Sequence, residues 1–203
     1  MALTGDAIRE FYARCAAARA RFQDLAVRSV PREKVAEQMK RLGLSVHEMG
    51  QVSDAELGFA FDLAVYTAPP GRSRAIDRVA KQHARLPGES ALVLNALTRS
   101  WLSIFRVLDR HSEEGVIVED ALLGGEVWLV DQGIAETAPP GSVIASRSGR
   151  VCGFAIACGV VAAIDEDRLG AVLGVMARGG VAAEDLVADP RFALSLWQQG
   201  LGQ

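Results

Sequence analysis

The sequence predicts an α+β protein in which N-terminal helices pack on a curled five-stranded antiparallel meander, close to a small barrel, with C-terminal helices after it. Three observations support this prediction. Apolar residues recur at three- and four-residue steps up to about residue 99. Between residues 100 and 164 they form short β-branched runs separated by glycine-containing turns. Helical spacing returns from about residue 165.

Five helices are expected before the strands. The first carries Ile8, Phe11 and Phe22 on one face, and the third starts at a capping box formed by Ser53 and Glu56. That third helix is apolar nearly all round and is interrupted by Asp62, which is typical of a helix in a core. The spacing and the Pro-Gly breaks predict helices at residues 6–28, 31–42, 57–68, 73–86 and 89–99.

The strands follow from turn residues and alternation. Ser112 to Gly115 favours a hairpin turn, Gly124-Gly125 a second turn, and Ser148-Gly149-Arg150 a tight turn before the last strand. Gly153 and Gly159 predict a bulge or bend in that strand. The pattern predicts strands at 101–110, 116–119, 126–131, 142–147 and 151–164, then helices at 166–178, 183–187 and 190–198.

We expect one compact unit over residues 1–203, made of a helical portion (1–99), an antiparallel β-module (100–164) and C-terminal helices (165–203). No apolar run approaches the ~20 residues of a membrane helix, and no signal peptide is recognisable. The three cysteines are too few and too scattered for a disulfide framework. The sequence therefore predicts a soluble cytoplasmic protein without membrane contact, with its cysteines buried and inert.

The formal charge of −3 is unevenly distributed. Residues 1–112 hold 17 Lys and Arg against 12 Asp and Glu, or +5, and residues 113–203 hold 5 against 13, or −8. One interpretation is a basic surface for a polyanion, and the other is arginines on solvated helix faces. The densest basic segment begins at Arg72. At helical spacing it aligns Arg74, Arg78, Lys81 and Arg85 as nucleic-acid-binding candidates.

Catalytic candidates are sparse. His111 adjoins several carboxylates, and Glu119 with Asp120 ends a predicted strand, so these three residues could form an acid–base or metal site only if the fold brings them together. Asp120 also has a structural explanation, since an aspartate at a turn commonly bonds its own backbone two residues on. No phosphate loop, nucleophile elbow or cysteine–histidine spacing for zinc occurs, and no metal or cofactor is expected.

The segments 105–107, 115–126 and 140–147 resemble a β-module of uncharacterised bacterial proteins. The resemblance covers roughly residues 89–164. In those proteins the module sometimes precedes a zinc-binding tail of the SEC-C type, which this sequence lacks, so the resemblance implies no zinc and no activity.

Three functional hypotheses remain open at the level of sequence. The first is a non-enzymatic binding or assembly protein, with a homodimer formed through an apolar sheet or helix face, for which Trp128 and Val130 are the sheet candidates. The second is nucleic-acid binding by the basic helix 72–85 with an OB-like β-module. The third is a small hydrolase or metal enzyme centred on His111.

Overall fold

The computed structural model describes residues 4–45, 52–69 and 71–201. The elements form three blocks along the chain, in the predicted order of helices, strands and helices. The elements are α1 (Gly5–Arg28), α2 (Arg32–Arg41), α3 (Asp54–Tyr66), α4 (Ala75–Gln82), α5 (Gly88–Thr98), β1 (Trp101–Arg110), β2 (Val116–Asp120), β3 (Glu126–Leu129), α6 (Gln132–Thr137), β4 (Val143–Val151), β5 (Phe154–Ala163), α7 (Glu166–Gly179), α8 (Ala183–Ala188) and α9 (Pro190–Gly200). The α+β class and both groups of flanking helices are confirmed.

The strands close into a barrel in the order β1-β2-β3-β5-β4, with β4 paired back to β1. The predicted meander is wrong in one respect, because β3 pairs with β5 in parallel, through Leu129 and Ala155, instead of with β4. The sheet is therefore mixed and not purely antiparallel.

The crossover from β3 to β4 explains a helix that the sequence prediction missed. Helix α6 begins at Asp131, whose side chain accepts a hydrogen bond from the Ile134 backbone N–H. Ile134 and Ala135 then pack into the interior of the barrel among Phe105 and other strand side chains. A single short turn of helix thus fills one end of the barrel and lets the chain pass from β3 to β4.

The turn between β4 and β5 lies later than predicted. β4 continues through Ser148 and Gly149 to Val151, and the chain reverses at Cys152, which has a φ of 56°. Farther along, Ser146 pairs with Val161 and Ser148 pairs with Ala157, so two residues of β4 span four residues of β5. The extra residues form a bulge in β5 around Gly159. The bulge predicted from that glycine is confirmed.

Helix α3 is central to the helical layers, as its apolar composition predicts. Its Gly58 permits α3 to approach β5 closely, because a Cβ at that position would lie 2.3 Å from Val160 Cγ1 of β5. Helices α1, α4 and α5 pack on one side of it in a core with Phe22 and Leu97, and α9 packs on the other side through Trp197. This arrangement holds Asp62 of α3 against Arg147 of β4.

Helix α4 is shorter than the predicted 73–86. It ends at Gln82, and Leu86 turns back to pack on the core beside α1. Among the helices of the described segments, none is both long and apolar enough to cross a membrane.

Candidate functional site

The most deeply buried ion pair of the described chain joins an aspartate of α3 to an arginine of β4. Arg147 donates from Nε to Asp62 Oδ1 at 2.8 Å and from Nη2 to Asp62 Oδ2 at 2.9 Å. The side chains are 7% and 2% exposed. Burial opposes the charge on Arg147, but the Asp62 carboxylate outweighs this and raises the Arg147 pKa. The arginine is therefore a fixed cation.

Two aromatic side chains complete this arrangement. Trp197 of α9 donates its indole N–H to Asp62 Oδ2 at 2.9 Å, so the carboxylate accepts three hydrogen bonds. The guanidinium carbon of Arg147 lies 4.6 Å from the ring centroid of Tyr66, a cation–π distance. Together these contacts fix the Arg147 guanidinium in one position and orientation.

Arg147 lines a cavity of about 500 Å3, the inner cleft. One wall is the loop between α3 and α4, and the opposite wall runs from the end of α8 into α9. Arg72 and Arg74 lie on the loop side, Trp101 at the start of β1, and Ala188 at the end of α8. The carboxylates of this cavity are Asp77 and Asp189.

The inner cleft continues into a second cavity of about 870 Å3, the outer cleft, which shares the α3–α4 loop and the start of α9. The outer cleft also reaches α2 and the middle of α4. The lining carries five cations, Lys34, Arg41, Arg72, Arg78 and Arg191, against two carboxylates, Glu37 and Asp189. We call the two cavities together the basic cleft.

Four of these cations have no ion pair with any carboxylate of the described residues: Lys34, Arg41, Arg72 and Arg78. Lys34 donates to the carbonyl oxygens of Ala64 and Thr67, and Arg78 donates to those of Ser73 and Ser29. These neutral acceptors leave the positive charge uncompensated.

The pKa of Lys34 is sensitive to a neighbouring cation. Burial and the neighbouring charge of Arg78 lower the Lys34 pKa, and Glu37 offsets only part of the shift. The part of this shift that comes from Arg78 is repulsion between two cations at the cleft, which an anion bound there would relieve.

The predicted basic stripe is divided by this geometry. Arg74 and Arg78 line the basic cleft, whereas Lys81 is exposed on α4 and does not line it. Arg85 lies beyond the end of the helix, so it does not continue the stripe. Sequence reasoning missed Lys34, Arg41 and Arg147, since they come from other elements. Asp62 was the available signal, because a lone carboxylate in an apolar helix requires a buried partner.

The predicted acid–base residues lie apart. The Arg110–Val116 and Phe105–Asp120 pairs put His111 and Asp120 at opposite ends of β2, ~17 Å apart along the strand. His111 stacks on Trp128 with ring centroids 3.9 Å apart. Glu119 is exposed near the other end of β2, where it pairs with Glu126 of β3. The register therefore does not bring the three residues together.

Asp120 has a full set of local partners. It accepts hydrogen bonds from Trp101 Nε1 at 3.0 Å, from Ser103 Oγ at 2.5 Å, and from the backbone N–H groups of Leu122 and Leu123. The bond from Leu122 is the two-residue turn bond that the sequence predicts for an aspartate there. Asp120 thus stabilises the β2–β3 turn and one end of the barrel.

The β2–β3 face, which an OB-like barrel would use for nucleic acid, is acidic and exposed at one end and covered by α1 at the other. Oligonucleotides bind such barrels on strands 2–3 and nearby loops. Here Glu119 and Glu126 lie on these strands, Glu114 pairs with Arg9 of α1, and Trp128 donates to the Glu114 carbonyl. Helix α1 thus covers the sheet face that the sequence analysis offered for assembly, and Val130 is fully buried.

The cysteines offer no reactive group in the cores. Burial raises the pKa of Cys15 to about 11 and that of Cys158 to about 12. The prediction that all cysteines are buried is wrong for Cys152, which is exposed in the β4–β5 turn. His83 borders the core against Phe22, and His47 lies outside the described residues. Within residues 4–45, 52–69 and 71–201, no three His, Cys, Asp or Glu side chains are grouped to hold a metal ion.

Comparison with known families identifies one match over most of the chain. The profile of a family of unknown function, DUF7986, matches residues 11–177. The chain belongs to the DUF7986 family. The matched region contains every strand, the Asp62–Arg147 pair and the four unpaired cations of the basic cleft. No curated protein and no solved structure matches the chain. The likeness of residues 89–164 to the bacterial β-module stays a prediction.

Proposed function

We propose that this DUF7986 protein is a binding protein whose ligand is a nucleic acid, held by its phosphates in the basic cleft. The observation that carries the proposal is the group of four cations, Lys34, Arg41, Arg72 and Arg78, which border one cavity without a carboxylate partner in the described chain. Binding of a polyanion to such a group releases counterions, which is the main source of affinity in nucleic-acid complexes.

The positions of these cations argue against an ordinary solvated helix face. They come from α2, from the α3–α4 loop and from α4, and they converge on one cleft instead of following one helix. In addition, the protein as a whole is acidic, with a formal charge of −3. A local positive excess on an acidic protein favours a specific anionic ligand over general attraction to polyanions.

The inner cleft adds aromatic surface to the charge. Trp101 lines this cavity and is partly exposed, so a base could stack on its ring while the backbone follows the cations. The acidic β2–β3 face repels phosphates. We therefore expect nucleic acid on the opposite side from the usual OB-type surface, with the barrel serving as a scaffold.

A titration of single-stranded DNA of about twelve nucleotides, followed by fluorescence anisotropy at several salt concentrations, tests the proposal. Arg72→Ala and Arg78→Ala should each weaken binding and reduce the slope of log K against log salt by about 0.7. Arg85→Ala is the matched control, since Arg85 is an exposed arginine of the same segment outside the cleft.

Absence of binding at ~50 mM salt would contradict the proposal. So would an equal loss of affinity in the Arg85→Ala and Arg78→Ala variants, because this would indicate attraction to charge anywhere on the segment and not binding in the cleft.

A further inference from the structure

Within the proposed nucleic-acid site, two arginines at the inner cleft each bind an aspartate through Nε and Nη2 and keep Nη1 free for a ligand oxygen. Arg147 uses Nε and Nη2 for Asp62, and its Nη1 donates to no described residue. Arg74 uses Nε and Nη2 for Asp77, with Nη2 also donating to the Thr98 carbonyl, and its Nη1 likewise has no described acceptor. Both side chains line the inner cleft.

Arg147 is the more informative of the two. More than nine-tenths of its side chain is buried. Its Nη1 group has no acceptor among the described residues and is not sealed from solvent, so an oxygen of a ligand in the inner cleft can accept a hydrogen bond from it. The Asp62 bonds and the Tyr66 ring hold the guanidinium in place, so binding would cost little side-chain entropy.

The charges around this position favour an anion. Asp62 and Asp77 neutralise Arg147 and Arg74, so these two arginines supply oriented donors and little net charge. Arg72 supplies the net charge, since it has no carboxylate partner among the described residues. Asp189 is the other carboxylate of this cavity, and Arg191 occupies both of its oxygens.

We propose that the inner cleft is a subsite for a terminal phosphate, the phosphate monoester at the end of a nucleic-acid strand or on a free nucleotide. This inference rests on the proposed nucleic-acid function and specifies which part of the ligand the inner cleft recognises. A monoester has three free oxygens and close to two negative charges, so it can accept from Arg147, Arg74 and Arg72 together. A bridging diester has two free oxygens and one charge. The cavity of about 500 Å3 is within the size range of small-molecule sites.

Ala188 provides a way to block the subsite without touching its arginines. It is exposed at the end of α8 and lines the inner cleft but not the outer one. Ala188→Glu would put a carboxylate from the chain itself beside the three guanidiniums. Ala188→Gln has nearly the same shape without the charge and is the matched control.

The experiment compares the binding of single-stranded DNA with a 5′-phosphate, with a 3′-phosphate and with hydroxyl groups at both ends. A nucleoside monophosphate serves as competitor. We expect the wild-type protein to bind one phosphorylated form about tenfold more tightly than the hydroxyl form. Ala188→Glu should abolish this preference, and Ala188→Gln should retain it. Circular dichroism and the melting temperature check that both variants fold.

The outcomes separate the subsite from the proposed function. Equal affinity for all three strands, with salt-dependent binding intact, overturns the subsite and leaves the nucleic-acid function standing. Binding of the nucleoside monophosphate without binding of any strand overturns the nucleic-acid function and supports the subsite. Loss of the preference in both Ala188 variants overturns recognition by charge, because bulk alone would then explain it.

Discussion

At the scale of single residues, the site depends on one carboxylate. Asp62 is the only described acidic side chain that contacts Arg147, and it also accepts the Trp197 indole N–H. The pair therefore joins α3, β4 and α9. A buried pair is not in itself strongly stabilising, because desolvation of both ions offsets much of their attraction. Removal of one partner is costly, since it leaves the other charge buried alone.

Asp62→Asn should accordingly lower the free energy of unfolding by about 3–5 kcal/mol. The amide keeps the shape of the side chain but cannot balance the Arg147 charge. Urea denaturation measures the effect as a lower midpoint at an unchanged slope. Because Arg147 borders the inner cleft, the same variant should also lose the preference for a terminal phosphate.

The control is Asp24→Asn on α1, where the exposed Asp24 pairs with Arg28 one helical turn away. This variant makes the same chemical change at a solvated pair, so we expect less than ~1 kcal/mol. A similar small loss in Asp62→Asn would mean that Arg147 is solvated through the cleft and does not depend on Asp62.

The sequence revealed one half of this pair. A carboxylate within the apolar third helix is conspicuous, and in the structure it is buried. Its partner could not be found in the same way, because Arg147 is 85 residues away and its position depends on the closure of the barrel. Nothing in the local pattern of residues 142–147 distinguishes a buried arginine from one at the surface of a strand.

At the scale of secondary-structure elements, the prediction succeeded where local signals decide the structure. The capping box at Ser53 and Glu56 starts α3 as predicted. The predicted stripe on α4 was too long, because Leu86 leaves the helix to join the core, and core packing outweighs local helix propensity. The cleft then forms from three elements, which a single helical stripe cannot indicate.

Lys34 gives these elements a measurable pH dependence. Its pKa is lowered by burial and by Arg78, and the charged form is the one that attracts phosphate. The affinity for DNA should therefore be highest below the Lys34 pKa and should decrease as the pH rises through it. Because this pKa is lowered, the decrease should begin at a lower pH than an ordinary lysine would give. Lys34→Arg keeps its charge at any such pH and should remove the decrease.

The measurement is the dissociation constant for single-stranded DNA between about pH 7 and pH 10 at constant salt. Tyr66, which also lines the inner cleft, does not interfere, because burial raises its pKa above this range. Identical pH profiles for the wild type and Lys34→Arg would show that Lys34 takes no part in binding.

At the scale of the whole molecule, the two charged halves of the sequence contribute to different surfaces. Four of the cations of the positive N-terminal half that lack an ion pair border the basic cleft, and two carboxylates of the negative half lie on the β2–β3 face. The barrel order was beyond sequence reasoning, because the parallel β3–β5 contact follows from the path of α6 and not from a local turn. The predicted meander order was wrong at β3, and the inner cleft is lined by Trp101 of β1 and Arg147 of β4 and not by the β2–β3 face.

Helix α7 is the element of the described chain that bears on the predicted homodimer. Leu169 is its only buried residue, while Leu173 and Val175 are 39% and 57% exposed. Two copies of α7 packed antiparallel through Leu173 would cover this exposed leucine on both copies.

We therefore predict a symmetric dimer through α7, detected by light scattering over a dilution series. Leu173→Glu should make the protein monomeric, because it puts charge at the centre of the contact. Leu92→Glu on α5 is the matched control, since Leu92 is 40% exposed and lies on another helix. A wild-type protein that stays monomeric at all concentrations would contradict the prediction and leave α7 without a partner from its own chain.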